Sequence, residues 1–208
     1  MNSVLEQLAS VSGKREQDLN IQLAQKIAAD KDKKAVQELV SGLEHKTKAI
    51  RHDCIKALYE TAALAPGLLK PHAAIFISLL EDKDNRMQWG AMTALSAMVQ
   101  EIPEQLSDAL AQLVAVADKG SVITRDHLVR ILAGLSQHKK YTGTTLPLLF
   151  EQLLQAPVNQ VPSYAEQALP VTGPEFKERL AQVLQTRLQD VEQESKRKRI
   201  EKVLKKLQ

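Results

Sequence analysis

Residues 79–95, LLEDKDNRMQWGAMTAL, constrain the fold most, because their second half recurs at a fixed spacing. The stretch reads as the end of an apolar helix, an acidic turn (Glu81-Asp82-Lys83-Asp84-Asn85) and the start of an amphipathic helix. That helix start returns 37 residues upstream as Ile50-Arg51-His52-Asp53-Cys54-Ile55-Lys56-Ala57-Leu58, and 37 downstream as Thr124-Arg125-Asp126-His127-Leu128-Val129-Arg130-Ile131-Leu132. One more step gives Val161-Pro162-Ser163-Tyr164-Ala165-Glu166-Gln167-Ala168-Leu169. Three columns coincide: Leu58, Leu95, Leu132 and Leu169; Cys54, Ala91, Leu128 and Ala165; Ala57, Ala94, Ile131 and Ala168. Small and apolar side chains in one helical register are what closely stacked helices require. A helix pair cannot bury both faces alone, so each unit leans on its neighbours. The pattern predicts an all-α array of stacked helix pairs with these twelve positions in its core.

The composition agrees. Apolar residues make up 44% but aromatics only 3%, so the core is Ala, Leu, Val and Ile. Eight Gly and eight Pro leave little room for long loops. The single cysteine, Cys54, cannot form an intrachain disulfide, which points to a reducing, cytoplasmic setting. The N-terminal twenty residues lack a basic start followed by an apolar core, so no secretory signal is expected. No apolar run approaches the ~18 residues of a membrane span. The formal charge is +3, but residues 195–208 alone carry seven cations and one acid, +6, leaving −3 on residues 1–194. A basic groove running the length of the chain is therefore not expected.

In chain order, residues 2–11 read as a short amphipathic helix with Val4, Leu5, Leu8 and Val11 on one side, broken at Ser12-Gly13. Helices are predicted at 15–29 and 34–44, around a charged turn at Lys31-Asp32-Lys33. Regular helices follow at 47–64, 67–81, 84–101 and 103–117, with 47–64 and 84–101 carrying the recurring register. Pro66 and Pro103 open the helices between, since proline is tolerated in a first turn. Next come 121–137, a loop at 138–143, and a helix at 145–155 with Thr144 as N-cap. Helices at 159–171, 174–188 and a highly charged one at 190–207 complete the chain.

An acidic turn followed by apolar-Arg-x-x-small-apolar-x-Ala-Leu resembles the HEAT repeat of the armadillo-type helical families. The residues carrying the resemblance are Ile50-Arg51, Cys54 and Ala57-Leu58; Met87 to Ala91 and Ala94-Leu95; and Thr124-Arg125, Leu128 and Ile131-Leu132. It covers roughly 45 to 170. The sequence departs from the pattern in its short period, against the usual ~40–47 residues, in Gln88 and Pro162 at the Arg position, and in His45 at the first acidic turn. The resemblance implies a right-handed α–α superhelix, a HEAT-like solenoid of about five helix pairs over 1–208. Its regular repeats would span about 42–172, with divergent helices at 1–41 and capping helices at 173–208.

It also implies that the second helix of each pair lines the concave surface. The outward side of those helices carries His52, Lys56 and Tyr59; Trp89, Thr93 and Ser96; Asp126, Arg130 and Ala133; and Ser163, Gln167 and Pro170. These residues differ from repeat to repeat, as a stripe reading an extended ligand would. The plainer alternative is a solvated face. Trp89 favours binding, because Trp is enriched at interface hot spots; the alternative is an indole that simply packs over Gly90 or a neighbouring helix.

Motifs of catalysis are missing from the sequence. The five histidines show no i,i+3 or i,i+4 pair and no His-Glu-x-x-His. His127 reads as a surface or partly packed residue. Cys54 sits in the core register, with His52 pointing elsewhere. There is no glycine-rich phosphate loop and no Gly-x-Ser-x-Gly. The expected function is a non-enzymatic scaffold or adaptor without a cofactor or metal, binding a protein or peptide along the second helices. The competing reading is nucleic-acid binding through the concave face or the basic C-terminal helix, including the activity of HEAT-like alkylpurine DNA glycosylases with Asp126 and Trp89 on the active face. The acidic body and the single Trp weigh against it. The basic last helix is expected to cap the array through Val191, Ile200, Val203, Leu204 and Leu207. Docking of an acidic partner or of phosphates is its alternative role.

Overall fold

The computed structural model describes residues 3–12 and 18–208, and every described regular element is helical. Two compact units are resolved, Met1–Leu128 and Val129–Gln208, with the division inside one helix.

The first unit is built around a central helix. A 3-10 turn at Val4–Gln7 is followed by α1 (Ala9–Ser12), α2 (Asp18–Asp30), α3 (Lys33–Gly42) and α4 (Lys48–Leu64). Beyond them lie α5 (Ala73–Ser78), α6 (Asn85–Ala97), α7 (Pro103–Asp108), α8 (Leu110–Lys119) and the start of α9 (Val122–Leu135). Helix α4 packs against α1, α2, α3 and α6. Its Cys54, Ile55, Ala57, Leu58, Thr61 and Ala62 are fully buried. Thr61 is accommodated because its hydroxyl donates to Ala57 O at 2.8 Å, which leaves no unpaired donor in the core. Between α2 and α3, Lys31 adopts φ 51°, and Asp32 then caps α3 by accepting from the Lys34 and Ala35 amides.

The second unit contains the rest of α9, α10 (Lys139–Gln155), α11 (Val161–Ala168), α12 (Lys177–Leu188) and α13 (Glu194–Leu207). Helix α12 packs on α10, and α13 packs on α11 and α12. Arginines close two helix ends here. Arg187 donates to Leu154 O and Ala156 O at 2.9 and 2.7 Å, and Arg197 to Leu188 O and Val191 O at 2.9 and 3.0 Å. These bonds occupy carbonyls that a helix C-terminus leaves without intrahelical partners.

Eleven of the twelve register positions are buried. The exception is Leu169, half-buried because α11 ends at Ala168 and the chain tightens into a 3-10 turn at Leu169–Val171. Several helix predictions need correction. Residues 2–11 are not one helix: the chain is extended at Leu8, and Val11 is 45% exposed. The break at Gly13 and the start of the next helix at 15 lie outside the described residues. The predicted helix 67–81 is four short pieces, with 3-10 turns at Pro66–Leu68, Lys70–His72 and Leu79–Glu81 around α5. Pro71 lacks an amide donor and its ring crowds the carbonyl four residues back, so one continuous helix cannot form. Helix 84–101 stops at Ala97, 103–117 divides at Ala109, and 159–171 shortens to Val161–Ala168. At 174–188 a 3-10 turn, Pro174–Phe176, precedes α12, and the last helix begins at Glu194, not 190. The loop at 138–143 is absent: α10 starts at Lys139, so Thr144 is an exposed residue inside a helix rather than its N-cap. Thr142 and Thr145 return their hydroxyls to the Lys139 and Tyr141 carbonyls at 2.9 and 3.0 Å, satisfying themselves within the helix.

Candidate functional site

The acidic turn proves to be a clamp between successive helices of the first unit. Asp84 caps α6 by accepting from the Arg86 amide at 3.0 Å. Its other oxygen lies 2.7 Å from His52 Nε2 and 3.2 Å from Lys48 Nζ, both on α4. Asp82 accepts from Arg51 at 3.1 Å and from the Asp84 amide at 2.8 Å. Burial pushes the Asp84 carboxyl upward, but His52, the Arg86 amide and Lys48 outweigh it and hold the pKa at about 2. His52 is thus engaged by the clamp.

One turn further along, α6 approaches α4 closely because residue 90 is glycine. A Cβ there would sit 2.6 Å from Ile55 Cγ1. The close approach brings the half-buried Trp89 ring to 5.7 Å from Tyr59, tilted by 52°. This separation is favourable for an aromatic pair. Lys56 Nζ stands 5.0 Å over the Tyr59 ring and pairs with Glu60 at 2.5 Å. Burial lowers the Lys56 pKa, yet the bond to Glu60 and the contact with Tyr59 leave it raised, so the ammonium is held charged. Thr93 donates to Trp89 O at 2.8 Å and lies 2.9 Å from His127 Nε2. Ser96 lies 2.7 Å from His127 Nδ1. His127 is therefore a buried link from α9 to α6, 8% exposed, and not a surface residue. Asp126 beside it is half-buried.

The structure thus joins Lys56, Tyr59 and Trp89 in one cluster and ties Thr93 to Trp89 through the Trp89 carbonyl, but Tyr59 is buried rather than outward, because the Trp89 ring covers it. In the second unit, Arg130 is exposed on α9. Ser163 and Gln167 are half-buried on α11, where the Gln167 amide donates to the Ser163 carbonyl and hydroxyl at 3.3 and 3.4 Å. Sequence reasoning passed over Glu60, took Asp84 only as part of the acidic turn and missed the bonds of His127 to the next helix. The i,i+4 spacing of Lys56 and Glu60 was the available signal for the first, and the N-cap position before Asn85 for the second. Nothing local marked His127, whose partners lie 31 and 34 residues away.

The Cys54 thiol is fully buried, and burial, then Asp53 and Glu38, push its pKa to about 12. Among the described residues no cluster of His, Cys, Asp or Glu is arranged to hold a metal, and no helix is long and apolar enough to cross a membrane.

No protein-family model matches the sequence, and a search of curated proteins gives no match. Solved structures do match. A designed armadillo repeat protein in complex with the peptide (KR)4 aligns over 99% of this chain and 98% of its own, with TM-score 0.69 and 19% identity. Computationally designed armadillo repeat proteins for modular peptide recognition align over 98% of each chain, with TM-score 0.64 and 19% identity. The archaeal HEAT-like repeat protein of Thermococcus onnurineus NA1 aligns over 91% of this chain and 94% of its own, with TM-score 0.52 and 15% identity. By fold, the chain is an all-α armadillo/HEAT-like repeat protein.

Proposed function

We propose that the chain is a non-enzymatic binding scaffold, and that the outward side of α4 and α6 takes a protein or peptide segment. The observation that carries this reading is the Tyr59–Trp89 pair. A large aromatic stays half-exposed in a chain with one Trp and 3% aromatics, on a face stiffened by the Lys56–Glu60 pair and the Asp84 clamp. Rigid aromatic anchors ringed by satisfied polar groups are the usual makeup of a hot spot. Lys56 and Thr93 contact the pair directly, and His52 and Asp126 are assigned as further polar contacts of the same unit. In the second unit, Arg130, Ser163 and Gln167 offer separate polar contacts. Structural neighbours designed for peptide recognition support the same class of ligand.

The test is a selection from a displayed random-peptide library on the immobilised protein, followed by titration of enriched peptides. Trp89 is the single tryptophan, so intrinsic emission reports this face alone. Enriched peptides should shift that emission and bind Trp89→Ala about thirty-fold more weakly, the scale of a ~2 kcal/mol hot spot. Peptides that bind Trp89→Ala as well as wild type contradict the assignment.

A further inference from the structure

The cations of α13 divide into two groups. Its arginines are used inside the second unit. Arg197 donates to the carbonyls of Leu188 and Val191, and Arg199 grips Glu166 with two bonds of 2.8 and 2.6 Å. Lys196 contacts Asn159, and Lys198 pairs with Glu194 at 3.2 Å. Lys202, Lys205 and Lys206 remain exposed and form no salt bridge among the described residues, although Lys202 adds to the positive field that Arg199 sets on Glu166. Lys202 and Lys206 rim a shallow hollow of about 250 Å³ beside Leu169 and the Glu166–Arg199 pair. Residues 129–208 hold 13 basic and 8 acidic residues, so the unit carries +5.

The apolar side of α13 is already occupied. Ile200, Val203 and Leu207 are buried in contact with the rest of the unit, and no large apolar side chain of α13 is exposed. This excludes the usual mode of an interfacial amphipathic helix, which needs its apolar face free for lipid. Protein hot spots favour Trp, Tyr and Arg, and interfaces are depleted in Lys. A face of lysines alone, without an aromatic or a free arginine, has the makeup of a phosphate-backbone contact, where lysine serves as a point charge. Lys202, Lys205 and Lys206 lie within four residue steps of one another, about 6 Å along the axis at ~1.5 Å per residue. A duplex presents one charge per ~1.7 Å, so about three phosphates lie along that length, one for each lysine.

We propose that the Lys202–Lys205–Lys206 face of α13 binds the phosphate backbone of double-stranded nucleic acid without reading its sequence. The surface is distinct from the Tyr59–Trp89 face and does not depend on it.

The experiment is fluorescence anisotropy of the full chain with a fluorescein-labelled duplex of arbitrary sequence, titrated across a salt series. Three neutralised phosphates give a log–log salt slope near −2.7, hence about forty-fold weaker binding at 200 than at 50 mM salt. The triple variant Lys202→Glu, Lys205→Glu, Lys206→Glu should lose at least tenfold in affinity at the lowest salt. Its helical circular dichroism and melting temperature should stay at wild-type values, since all three side chains are exposed. Changing the sequence of the duplex should leave the affinity unchanged. No anisotropy change at low salt, or equal binding by a folded triple variant, overturns the proposal. Tighter binding of phosphatidylserine vesicles or of a glutamate-rich peptide overturns it in favour of that partner.

Discussion

Replacing Gly90 by alanine tests the packing that positions Trp89. Two effects oppose one another. Alanine is about 1 kcal/mol better than glycine in a helix interior. Against this, the new Cβ would lie 2.6 Å from Ile55 Cγ1, about 1 Å inside a normal carbon–carbon contact. Cγ1 is bonded directly to the branched Cβ of a side chain that is fully buried on α4, so it has nowhere to swing. Overpacking of this kind costs about 1–3 kcal/mol, and the short contact places it at the upper end. Gly90→Ala should therefore destabilise by about 1–2 kcal/mol net. A double-mutant cycle isolates the cause. Ile55→Ala removes Cγ1 and costs about 2–5 kcal/mol alone, but in that background Gly90→Ala should be neutral or stabilising, a coupling near 2 kcal/mol. Ile55→Val keeps Cγ1, so no such coupling should appear. Urea denaturation followed by Trp89 emission reads the effect locally. Stabilisation by Gly90→Ala, or equal effects in all three backgrounds, refutes the reasoning.

Other outcomes follow from the same structure. Cys54 should resist thiol reagents at neutral pH in the folded protein and react only as fast as the first unit opens, which urea-dependent labelling with Ellman's reagent measures. The Asp84 pKa is depressed from 3.8 to about 2, so its stabilising contribution is complete above pH ~4 and disappears as pH falls through about 2. The stability difference between wild type and Asp84→Asn should shrink over that window in acid urea titrations. Truncation after Gln193 removes Ile200, Val203 and Leu207 from their contacts on α11 and α12 and should lower the melting temperature by several degrees. Glu166→Gln should change stability by less than ~1 kcal/mol, because the Glu166 and Arg199 side chains are each 46% exposed.

The second helices were legible because one physical rule governs them. Close stacking demands small or apolar residues at fixed register, and Cys54, Ala91, Leu128 and Ala165 are all buried accordingly. The first helices obey no such rule. Pro66, Gly67 and Pro71 break 66–81 into single turns whose hydrogen bonding the periodicity of Leu68, Leu69, Ile75 and Phe76 does not reveal. The polar run 138–143 reads as a loop by composition, yet it is helical because Thr142 and Thr145 satisfy their hydroxyls on the preceding turn. For the site, Lys56 and Trp89 were visible as outward residues of the repeat, whereas Tyr59, expected beside them, is buried under the Trp89 ring. Their joining depends on Gly90 admitting α6 against Ile55, a contact between repeats that local spacing does not encode. The acidic turn was visible as a repeat landmark, but its role as a clamp on His52 and Lys48 required the neighbouring helix in place.

The most direct test of the central claim is amide and indole NMR of the isotope-labelled protein titrated with a peptide selected against it. The single indole N–H of Trp89 gives an isolated resonance. Binding to the outward face of α4 and α6 predicts that this resonance shifts together with the amides of His52, Lys56, Tyr59 and Thr93. An unmoved indole, with shifts gathered instead around Gln37, Ser41, Ile75 and Leu79 in the groove on the first-helix side, contradicts it.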